Sequence, residues 1–367
     1  MAELDQINVA TERYIRENPA LVDDVFQNDP LLAYLKLNTR EEFEGGTLIQ
    51  EGFQYDSLIG GFYGKGKQFD ITEKQVEQAF QLLPKFLEVN VTLAKEDIQV
   101  FNKGPKAAFR LVDSRMTNAY MTAGAFLAIG QYLNGQGNFV QNVNGFAEIL
   151  NDGTTAGWDG ATYGTYGGIT RGGQVGKALN SVPFNVNGPI EYNVLEETYG
   201  NATYGNVEPN LGVTTVLGYS FVKEKFQTQQ RFNDTQDPAI GFNGMKFNSA
   251  TIIKSRYAPG TGSGGAGASD GVGTAGTDAN KVAVTFINQT TNGAVAAYPT
   301  VTNETFWWIN ARKPYLNFYV SDDPEYAFGY TGFKPAQGNT KIVGQVLVAC
   351  NLTAHPRYHK QLFAING

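Results

Sequence analysis

The stretch of sequence that decides the fold is PKAAFRLVDSRMTNAYMTAGAFLAIGQYLN, residues 105–134. Proline is favoured at the first helical position, so Gly104-Pro105 marks a helix start, and Asn134-Gly135 is typical of a left-handed helix end. At 1.5 Å per residue such a helix is about 45 Å long. Its apolar residues recur at i, i+3, i+4 and i+7: Phe109, Val112, Met116, Ala119, Ala123, Phe126 or Leu127, and Leu133.

This period predicts a helix over residues 105–134 with one buried face, which we call the spine. Small residues on the apolar side, Ala119 and Ala123 among them, would let a sheet lie close against it. The pattern alone also fits an ordinary core helix.

The residues at the start of the chain indicate an arm. Residues 1–43 have the pattern of short helices without a core of their own, and Asp29-Pro30 is an N-cap followed by proline. The first residues are acidic and amphipathic, with no apolar signal segment. No apolar run reaches the roughly 18 residues of a membrane span. We therefore expect the protein to be made and kept in a cytoplasm.

A long hairpin is predicted next. Residues 45–69 alternate β-forming residues with glycine, and their turn is expected at residues 64–67. A two-stranded ribbon is marginal in water, so its apolar residues should be exposed on one subunit and covered by a neighbour. These residues are Leu48, Ile49, Phe53, Tyr55, Leu58, Ile59, Phe62 and Tyr63.

The segments on either side of the spine are shorter. Residues 72–83 carry a capping box and helical spacing, which predicts a helix, whereas residues 86–93 alternate as a strand. Residues 135–188 are rich in glycine and asparagine, with a helical turn or two at residues 145–151.

The second half of the chain alternates strand and helix. Residues 211–216 form an apolar strand pattern that leads into an amphipathic helix, and residues 241–257 alternate as strands. Residues 259–277 are almost wholly Gly, Ala, Ser and Thr, which is typical of a flexible loop. From Thr305 the chain is aromatic and β-like, and residues 341–354 predict a long strand near its end.

The composition describes a globular protein that is poor in charge. The 367 residues are 42% hydrophobic and 17% charged, with a net charge of -7. DNA affinity comes mostly from Lys and Arg, so this balance argues against a nucleic-acid recognition site. The single cysteine, Cys350, excludes an internal disulfide and fits a reducing compartment.

One glycine-rich stretch approaches a phosphate-binding loop. Residues 61–68, GFYGKGKQ, lack the final Ser or Thr that would hold magnesium, because Gln68 stands there, and no helix starts at that point. A hairpin turn with exposed lysines is the simpler interpretation. Gly218 and Ser220 lack the second glycine of a nucleophile elbow, and the glycines from Gly260 have no helix behind them.

The remaining catalytic patterns are also incomplete. His355 and His359 are four residues apart, but Pro356 between them disfavours the helix that would make them a metal pair. The acidic pairs are adjacent residues, which favours a solvated surface over a general acid and base: Asp23-Asp24, Glu196-Glu197 and Asp322-Asp323. We therefore predict no catalytic, cofactor-binding or metal-binding residues and no cofactor, and we expect that the chain is not an enzyme.

From about residue 45 to its end, the chain resembles the major capsid proteins of tailed bacteriophages with the Hong Kong 97-like fold. The resemblance lies in the order of arm, hairpin, spine and late aromatic strands. It lies also in several stretches: EVNVTLAKEDIQVFNKGPKAAFRLVDSRMTNA, the turn YGGITR at residues 166–171, EPNLGVTTVLGYSFVKEKFQTQQRF, GFNGMKFNSATII and VGQVLVACNLTAHPRYHKQLFAING.

The resemblance implies an α+β protein with the Hong Kong 97-like phage capsid fold. The segments it implies are an N-terminal arm (1–43), an extended loop (44–84), a peripheral domain with the spine (85–141), an axial domain with the Gly-rich loop 259–277 (142–312), and a return to the peripheral domain (313–367).

The implied function is structural. Pentamers and hexamers of the chain would self-assemble into the icosahedral head shell that encloses the double-stranded DNA genome of a phage, without sequence-specific DNA binding and without a membrane. Because only a short arm precedes the extended loop, the resemblance also implies a separate scaffolding protein, together with a portal. The implied location is the virion, after assembly in the host cytoplasm. The residues alone leave one alternative, a surface-exposed β-rich binding or adhesion module.

Overall fold

The computed structural model describes residues 29–43, 45–68, 70–96, 105–136, 141–227, 234–236, 243–260, 303–336 and 340–366. The first 28 residues of the predicted arm, the pair Asp23-Asp24 and the Gly-rich loop from residue 261 onward lie outside this part of the chain. No helix among the described residues has the length and hydropathy needed to cross a membrane.

Five α-helices are present in the described residues: α1 (Pro30–Asn38), α2 (Pro105–Gly130), α3 (Phe146–Ile149), α4 (Tyr192–Ala202) and α5 (Val216–Gln227). The strands before residue 190 are β1 (Arg40–Phe43), β2 (Ile49–Gln54), β3 (Glu77–Leu82), β4 (Lys85–Ala94), β5 (Thr165–Tyr166), β6 (Ile169–Thr170) and β7 (Phe184–Pro189). The later strands are β8 (Leu211–Thr214), β9 (Asp234–Gln236), β10 (Asn243–Phe247), β11 (Ala250–Lys254), β12 (Glu304–Ile309), β13 (Leu316–Ser321), β14 (Ala327–Tyr330), β15 (Lys334–Pro335), β16 (Lys341–Ala354) and β17 (Lys360–Asn366).

The spine is confirmed as α2, and its predicted apolar face is buried at Met116, Ala119, Ala123 and Leu127. It packs against β4, β16 and α1. The helix ends at Gly130, four residues earlier than predicted and without a left-handed cap at Gly135.

The early end of α2 has a steric and a hydrogen-bonding cause. A Cβ on Gly130 would lie 2.6 Å from Asn142 Oδ1, so the returning chain sits directly against the last turn. Asn142 Nδ2 donates to the Gly130 carbonyl at 3.2 Å, and Phe146 N donates to the Gln131 carbonyl at 2.7 Å. The Gly130 carbonyl is thereby satisfied in part by the returning chain, and the Leu127 and Ile129 carbonyls accept from Gln131 N and Tyr132 N, so the helix end needs no left-handed glycine cap.

The first sheet is organised around β16, which matches the strand predicted at residues 341–354. Residues 341–350 pair antiparallel with β4, and residues 350–354 pair with β13. Strands β14 and β15 also pair with β16, and β1 adds to β13 in parallel. The prediction of a strand at residues 86–93 is confirmed by β4, whose Val91 and Leu93 are buried against the spine side of the core.

The second sheet has the order β7-β17-β12-β8-β11-β10-β9. Strand β12 is buried on both faces, because Trp307 and Ile309 join the core around the spine while Phe306 and Trp308 join a second core with α4 and α5. This explains why residues 306–309 of the strand, FWWI, are continuously apolar rather than alternating. The boundaries of the predicted domains remain a prediction, and within the segment 313–367 only β17 pairs in this second sheet.

The described end of the predicted arm is not separate from the core, contrary to our expectation for residues 1–43. Leu31, Leu32 and Leu35 of α1 are at most 1% exposed and pack with the spine. The cap itself is confirmed, since Asp29 accepts a hydrogen bond from Leu32 N and Pro30 is the first helical residue. The free energy gained by burying three leucines of one short helix exceeds the preference of the surrounding polar residues for water.

Asp29 joins three parts of the fold. Its carboxylate is fully buried and accepts hydrogen bonds from Leu32 N at 3.2 Å, Gln131 Nε2 at 2.7 Å and Ser255 Oγ at 2.6 Å. The residue therefore ties α1 to the chain that follows the spine and to the residue that follows β11. Burial raises the pKa of Asp29 to about 6, and the hydrogen bonds offset this only in part.

We expect acidification to stabilise this junction. A carboxyl group whose pKa rises from 3.8 to about 6 on folding binds its proton more tightly in the folded state, so its contribution to stability is full below the lower value and is lost as the pH rises through the higher one. The change is on the order of 3 kcal/mol. Asp29→Asn keeps the cap and removes the titration. Urea unfolding at a series of pH values gives the free energy of unfolding of both proteins. Plotted against pH, this free energy should fall more steeply for the wild type than for Asp29→Asn, whereas parallel plots would contradict the prediction.

Candidate assembly surface

The predicted hairpin is present, but its strands differ from the prediction. Strand β2 pairs antiparallel with β3, so the ribbon closes much later than residue 69. The helix predicted at residues 72–83 is wrong: Thr72 donates to Asp70 instead of capping a helix, and β3 alternates toward its end with Phe80 and Leu82 buried. Pairing with β2 and burial of alternate residues outweigh the local helical spacing.

The base of this ribbon packs on its own subunit. Phe53 and Phe80 are buried with ring centroids 6.1 Å apart, and Phe80 lies 5.2 Å from Tyr166 and 5.6 Å from His355. The expectation that all apolar hairpin residues are exposed is therefore wrong for Ile49 and Phe53. Cross-strand aromatic contacts hold the base to the body of the subunit.

A buried polar cluster fixes the base further. Glu51 Oε1 accepts hydrogen bonds from Asn317 Nδ2 at 2.9 Å and from Thr353 Oγ1, and Glu51 Oε2 lies 3.6 Å from His355 Nε2. Burial lowers the pKa of His355, and Glu51 opposes this shift. Strand β2 is thereby joined to both β13 and β16 of the first sheet.

The turn at residues 166–171 supports the ribbon from the other side. Tyr166 Oη accepts from Ala354 N at 3.1 Å, and the Gly167 carbonyl accepts from Gln81 N at 2.9 Å. Gly167 has φ +55°, and a Cβ there would lie 2.7 Å from Phe80 Cβ. The position therefore requires glycine for both its backbone and its space.

Gly167→Ala should destabilise the subunit by about 3 kcal/mol, because it adds an overlap with Phe80 to the strain of a left-handed residue. Gly168 is the matched control: it has φ +80°, but nothing lies within 4 Å of a Cβ there. Gly168→Ala should cost about 1 kcal/mol. Urea unfolding measures both changes, and equal losses would show that Phe80 does not restrict the site.

Beyond its paired strands the ribbon continues as a loop, described at residues 55–68 and 70–76. We call residues 55–57 and 74–76 the loop root and residues 58–73 the loop tip. Tyr55 N donates to the Val76 carbonyl at 3.0 Å, and Lys74 Nζ lies 2.8 Å from Asp56 Oδ2. The root is therefore held closed, and the hydrogen bond from Lys74 keeps the pKa of Asp56 below its ordinary value.

The loop tip exposes large apolar side chains. Phe62 is 108% exposed, Ile71 93%, Leu58 70% and Ile59 48%. The predicted turn is confirmed, since Lys67 N donates to the Gly64 carbonyl at 3.2 Å and Gly66 has φ +84°. Several large apolar side chains exposed on one loop are typical of a contact with another molecule.

A cleft opens beside the loop root. Its volume is about 630 Å³, and its walls include Tyr55 and Ser57 of the root with Tyr204, Tyr315, Arg357 and Tyr358. The rings of Tyr315 and Tyr358 lie 4.4 Å apart, and the Arg357 guanidinium lies 4.9 Å from the centroid of Tyr204. We call this concave surface the aromatic cleft.

The incomplete catalytic motifs noted in the sequence lie apart from one another in the structure. Residues 61–68 form part of the exposed loop, with no helix at their end. Ser220 lies within α5, and Glu196 and Asp322 belong to exposed surface pairs. No group of three or more metal-binding side chains is found in the described residues.

The two histidines have separate partners on either side of a 3₁₀ turn at Pro356–Tyr358. His355 faces Glu51, whereas His359 Nδ1 accepts a hydrogen bond from Asn310 N at 3.0 Å. Burial lowers the pKa of His359 to about 4. His359 therefore remains neutral at pH 7 and serves as a structural acceptor.

Sequence reasoning missed the role of Arg171. This side chain is fully buried and donates to the carbonyls of Glu148 at 2.7 Å, Ile149 at 3.1 Å, Asn151 and Leu179. It caps the end of α3 and joins that helix to the turn after β6. Burial lowers its pKa to about 10, so Arg171 keeps its charge at neutral pH. The sequence feature that could have indicated this role is the position of Arg171 as a single arginine within a glycine-rich stretch.

No protein-family model matches the chain, and no curated protein sequence matches it. Solved structures do match. The capsid of cyanophage A-1(L) is similar with a TM-score of 0.57 and 12% identity, over 92% of this chain and 93% of that one. The capsid of an empty GTA particle has a TM-score of 0.51 and 8% identity, over 90% and 89%.

A third similar structure is the SrpI encapsulin complex of Synechococcus elongatus PCC 7942, with a TM-score of 0.52 and 9% identity, over 92% of this chain and 88% of that one. The three neighbours are described as a phage capsid, a GTA capsid and an encapsulin. The similarity extends over at least 90% of this chain in all three cases. The chain therefore has the Hong Kong 97-like fold of phage capsid proteins.

Proposed function

We propose that this protein is the major capsid protein of a tailed phage. Many copies assemble as pentamers and hexamers into an icosahedral head shell that encloses the double-stranded DNA genome. The observation that carries the proposal is the exposed apolar loop tip on a chain with a capsid fold. A subunit that acted alone would leave Phe62 and Ile71 in water, at a cost that contact with a neighbour removes.

The charge of the chain supports a protein that encloses DNA rather than one that recognises a DNA sequence. With 35 acidic residues against 28 basic ones, the protein has no excess of cations to neutralise phosphates, so enclosed DNA is held weakly and without sequence preference. Loose contact suits a genome that must enter and leave the shell. The location that follows is the virion, after assembly in the host cytoplasm.

Electron microscopy of the purified protein tests the proposal directly. We expect closed shells, with subunits grouped in fives and sixes. Sedimentation should show a large assembly rather than a 40.0 kDa species. A protein that stays monomeric at high concentration, alone and with the neighbouring gene products of its genome, would refute the proposal.

The encapsulin neighbour supports a second candidate, a shell that encloses protein instead of DNA. The two candidates differ in the contents of shells isolated from the native source. A phage head should protect genome-length DNA from added nuclease, whereas an encapsulin-type shell should contain a second protein and no protected DNA. Gel electrophoresis of both fractions distinguishes them.

A scaffolding protein and a portal are the partners that we propose for correct head assembly. The fold neighbours are multimeric shells, which supports contacts between copies of the chain. Co-expression with each candidate partner should narrow the diameter distribution of the shells, as measured by electron microscopy. An unchanged distribution with every candidate would contradict the need for scaffolding.

A further inference from the structure

We infer that the aromatic cleft binds an extended segment of a second protein, in which a carboxylate side chain and an aromatic side chain are two residues apart. The inference goes beyond the proposed shell function and does not depend on it, because all walls of the cleft belong to one subunit. The carboxylate pairs with the Arg357 guanidinium, and the aromatic ring packs against the tyrosine rings beside it.

The cleft contains a continuous series of contacting side chains. The Arg357 guanidinium lies 4.9 Å from the ring centroid of Tyr204. The ring of Tyr204 lies 6.1 Å from that of Tyr358, which in turn lies 4.4 Å from that of Tyr315. Tyr204 is 56% exposed, and the other three side chains are partly exposed. One cation and three aromatic rings are therefore accessible to a ligand.

The charge of Arg357 is not compensated by the described residues. No carboxylate among them lies within ion-pair distance of its guanidinium. In the same cleft wall, Asp56 is paired with Lys74 Nζ at 2.8 Å. A guanidinium that stacks on an aromatic face keeps the N–H groups at its edge free to donate. A carboxylate matches these donors with two parallel hydrogen bonds, so an acidic ligand is complementary to the cleft.

The spacing of the series fits an extended chain. Side chains two residues apart lie on the same face of an extended segment, about 6.6 Å from each other. The step from the guanidinium to Tyr204 is 4.9 Å, and the step from Tyr204 to Tyr358 is 6.1 Å. A carboxylate at Arg357 therefore places the next side chain on the same face against these two rings. The cleft volume of about 630 Å³ lies within the usual range for ligand sites.

Backbone hydrogen bonds hold the tyrosines in position. The Tyr315 carbonyl accepts from His355 N at 2.9 Å, and Tyr358 N donates to the His355 carbonyl at 3.2 Å. Tyr204 N donates to the Val207 carbonyl at 3.0 Å, and Val207 N donates back to the Tyr204 carbonyl at 3.1 Å. A ligand that enters a site fixed in this way loses less free energy to ordering the protein.

A single-stranded nucleic acid is the competing ligand, because arginine and aromatic rings also bind stacked bases. Such a strand is held through several phosphates, each of which needs a cation. The cleft offers Arg357 as its one uncompensated cation among the described residues, and the carboxylates of Asp56 and Glu51 lie in or beside its wall. These charges favour a peptide with one carboxylate over a chain of phosphates.

The protein's own sequence supplies a second competitor. Two triplets outside the described residues have a carboxylate and an aromatic side chain at this spacing, Glu12-Arg13-Tyr14 and Asp24-Val25-Phe26. A copy of the chain whose cleft was already occupied by such a triplet would bind an added peptide weakly. The experiment below distinguishes this occupant from a second protein.

Fluorescence anisotropy with a labelled peptide tests the inference. The probe is a Gly-Ser peptide that contains one aspartate and one tryptophan two residues apart, and the purified full-length protein is titrated into it. The reference probe has asparagine in place of the aspartate. We expect the protein to bind the aspartate probe about tenfold more tightly or better, which is the ratio for one hydrogen bond to a charged group.

Variants of the cleft show whether the carboxylate pairs with the arginine. Arg357→Gln should weaken binding of the aspartate probe about tenfold and leave binding of the asparagine probe unchanged, because the two charges act as a pair. Arg256→Gln is the matched control, since Arg256 is exposed and lies outside the cleft, and it should bind both probes like the wild type. Tyr358→Leu should weaken binding of both probes, because it removes a ring and not the cation. Thermal unfolding of each variant checks that the fold is retained.

Four results would overturn the inference. The first is equal binding of the two probes by the wild type, or no binding at millimolar protein. The second is a loss with Arg256→Gln as large as that with Arg357→Gln. The third is tighter binding of labelled oligothymidylate than of the aspartate probe. The fourth is a tenfold gain in probe binding by Asp24→Asn with Phe26→Ser, which would assign the cleft to the chain's own N-terminal residues. None of these results bears on whether electron microscopy shows shells.

Discussion

Replacing residues 58–71 with a short Gly-Ser linker is expected to produce a folded subunit that cannot form shells. The change removes Leu58, Ile59, Phe62 and Ile71, whose burial against a neighbour contributes roughly 6–12 kcal/mol per subunit at 1.5–3 kcal/mol each. Association would weaken by several orders of magnitude. Shell yield in electron microscopy should fall to background.

The same variant should retain the stability of the wild type, because the loop root, β2 and β3 remain. Phe53 and Phe80 keep their buried contacts. The control is a double substitution of the exposed tip lysines, Lys65→Ser with Lys67→Ser, which leaves the apolar side chains in place and should still assemble. A shortened loop that forms normal shells would refute the assembly role. Loss of the folding transition would instead show that the tip stabilises its own subunit.

Arg171→Leu is expected to have the largest effect on stability. The change removes the side-chain donor from the buried carbonyls of Glu148, Ile149 and Leu179, and it leaves the Asn151 carbonyl with only the hydrogen bond from Ser181 N. An unsatisfied buried group costs about 1–3 kcal/mol, so the free energy of unfolding should fall by about 4 kcal/mol or more. We expect most of the variant to be insoluble on expression.

Two further variants separate charge from geometry at this position. Arg171→Lys keeps the charge, but one ammonium group cannot reach all four carbonyls, so it should restore only part of the lost stability. Arg312 is an exposed arginine, and Arg312→Leu should change stability by less than about 0.5 kcal/mol. Urea unfolding measures all three, and a well-folded Arg171→Leu would show that water satisfies these carbonyls.

The periodic elements could be predicted from the sequence because their pattern and their packing agree. The spine has one apolar face at helical spacing, and β16 has the composition of a long buried strand, so local preference and tertiary burial favour the same structure. The resemblance to phage capsid proteins was based on the order of these elements. Comparison with solved structures confirms the predicted fold.

Where the prediction was wrong, a distant contact decided the structure. Residues 77–82 have helical spacing but pair with β2, more than twenty residues earlier, and α1 is buried by residues from the spine. The end of α2 depends on Asn142, which approaches only after the chain turns back. The spacing of residues within a segment does not show which distant residues that segment will contact, so these contacts could not be predicted from it.

The candidate assembly surface was predictable in outline only. Exposed apolar residues between glycines indicated a loop that needs a neighbour, but Phe53 is buried against Phe80, which in turn contacts Tyr166. The aromatic cleft combines residues that lie far apart in sequence, such as Tyr55, Tyr204 and Tyr358. Such a site becomes visible only when the fold brings its walls together.

The position of Lys65 and Lys67 on the exposed loop tip has a consequence for proteolysis. Both lysines are exposed in a segment without regular secondary structure, which is where trypsin cuts most readily. A nick there separates β2 from β3 along the chain, yet the six-residue pairing between Ile49–Gln54 and Glu77–Leu82 still holds the two fragments together. Free subunits should therefore yield two fragments on a denaturing gel while remaining intact in solution. During assembly, the rate at which subunits become resistant to this cleavage would measure how fast they enter shells.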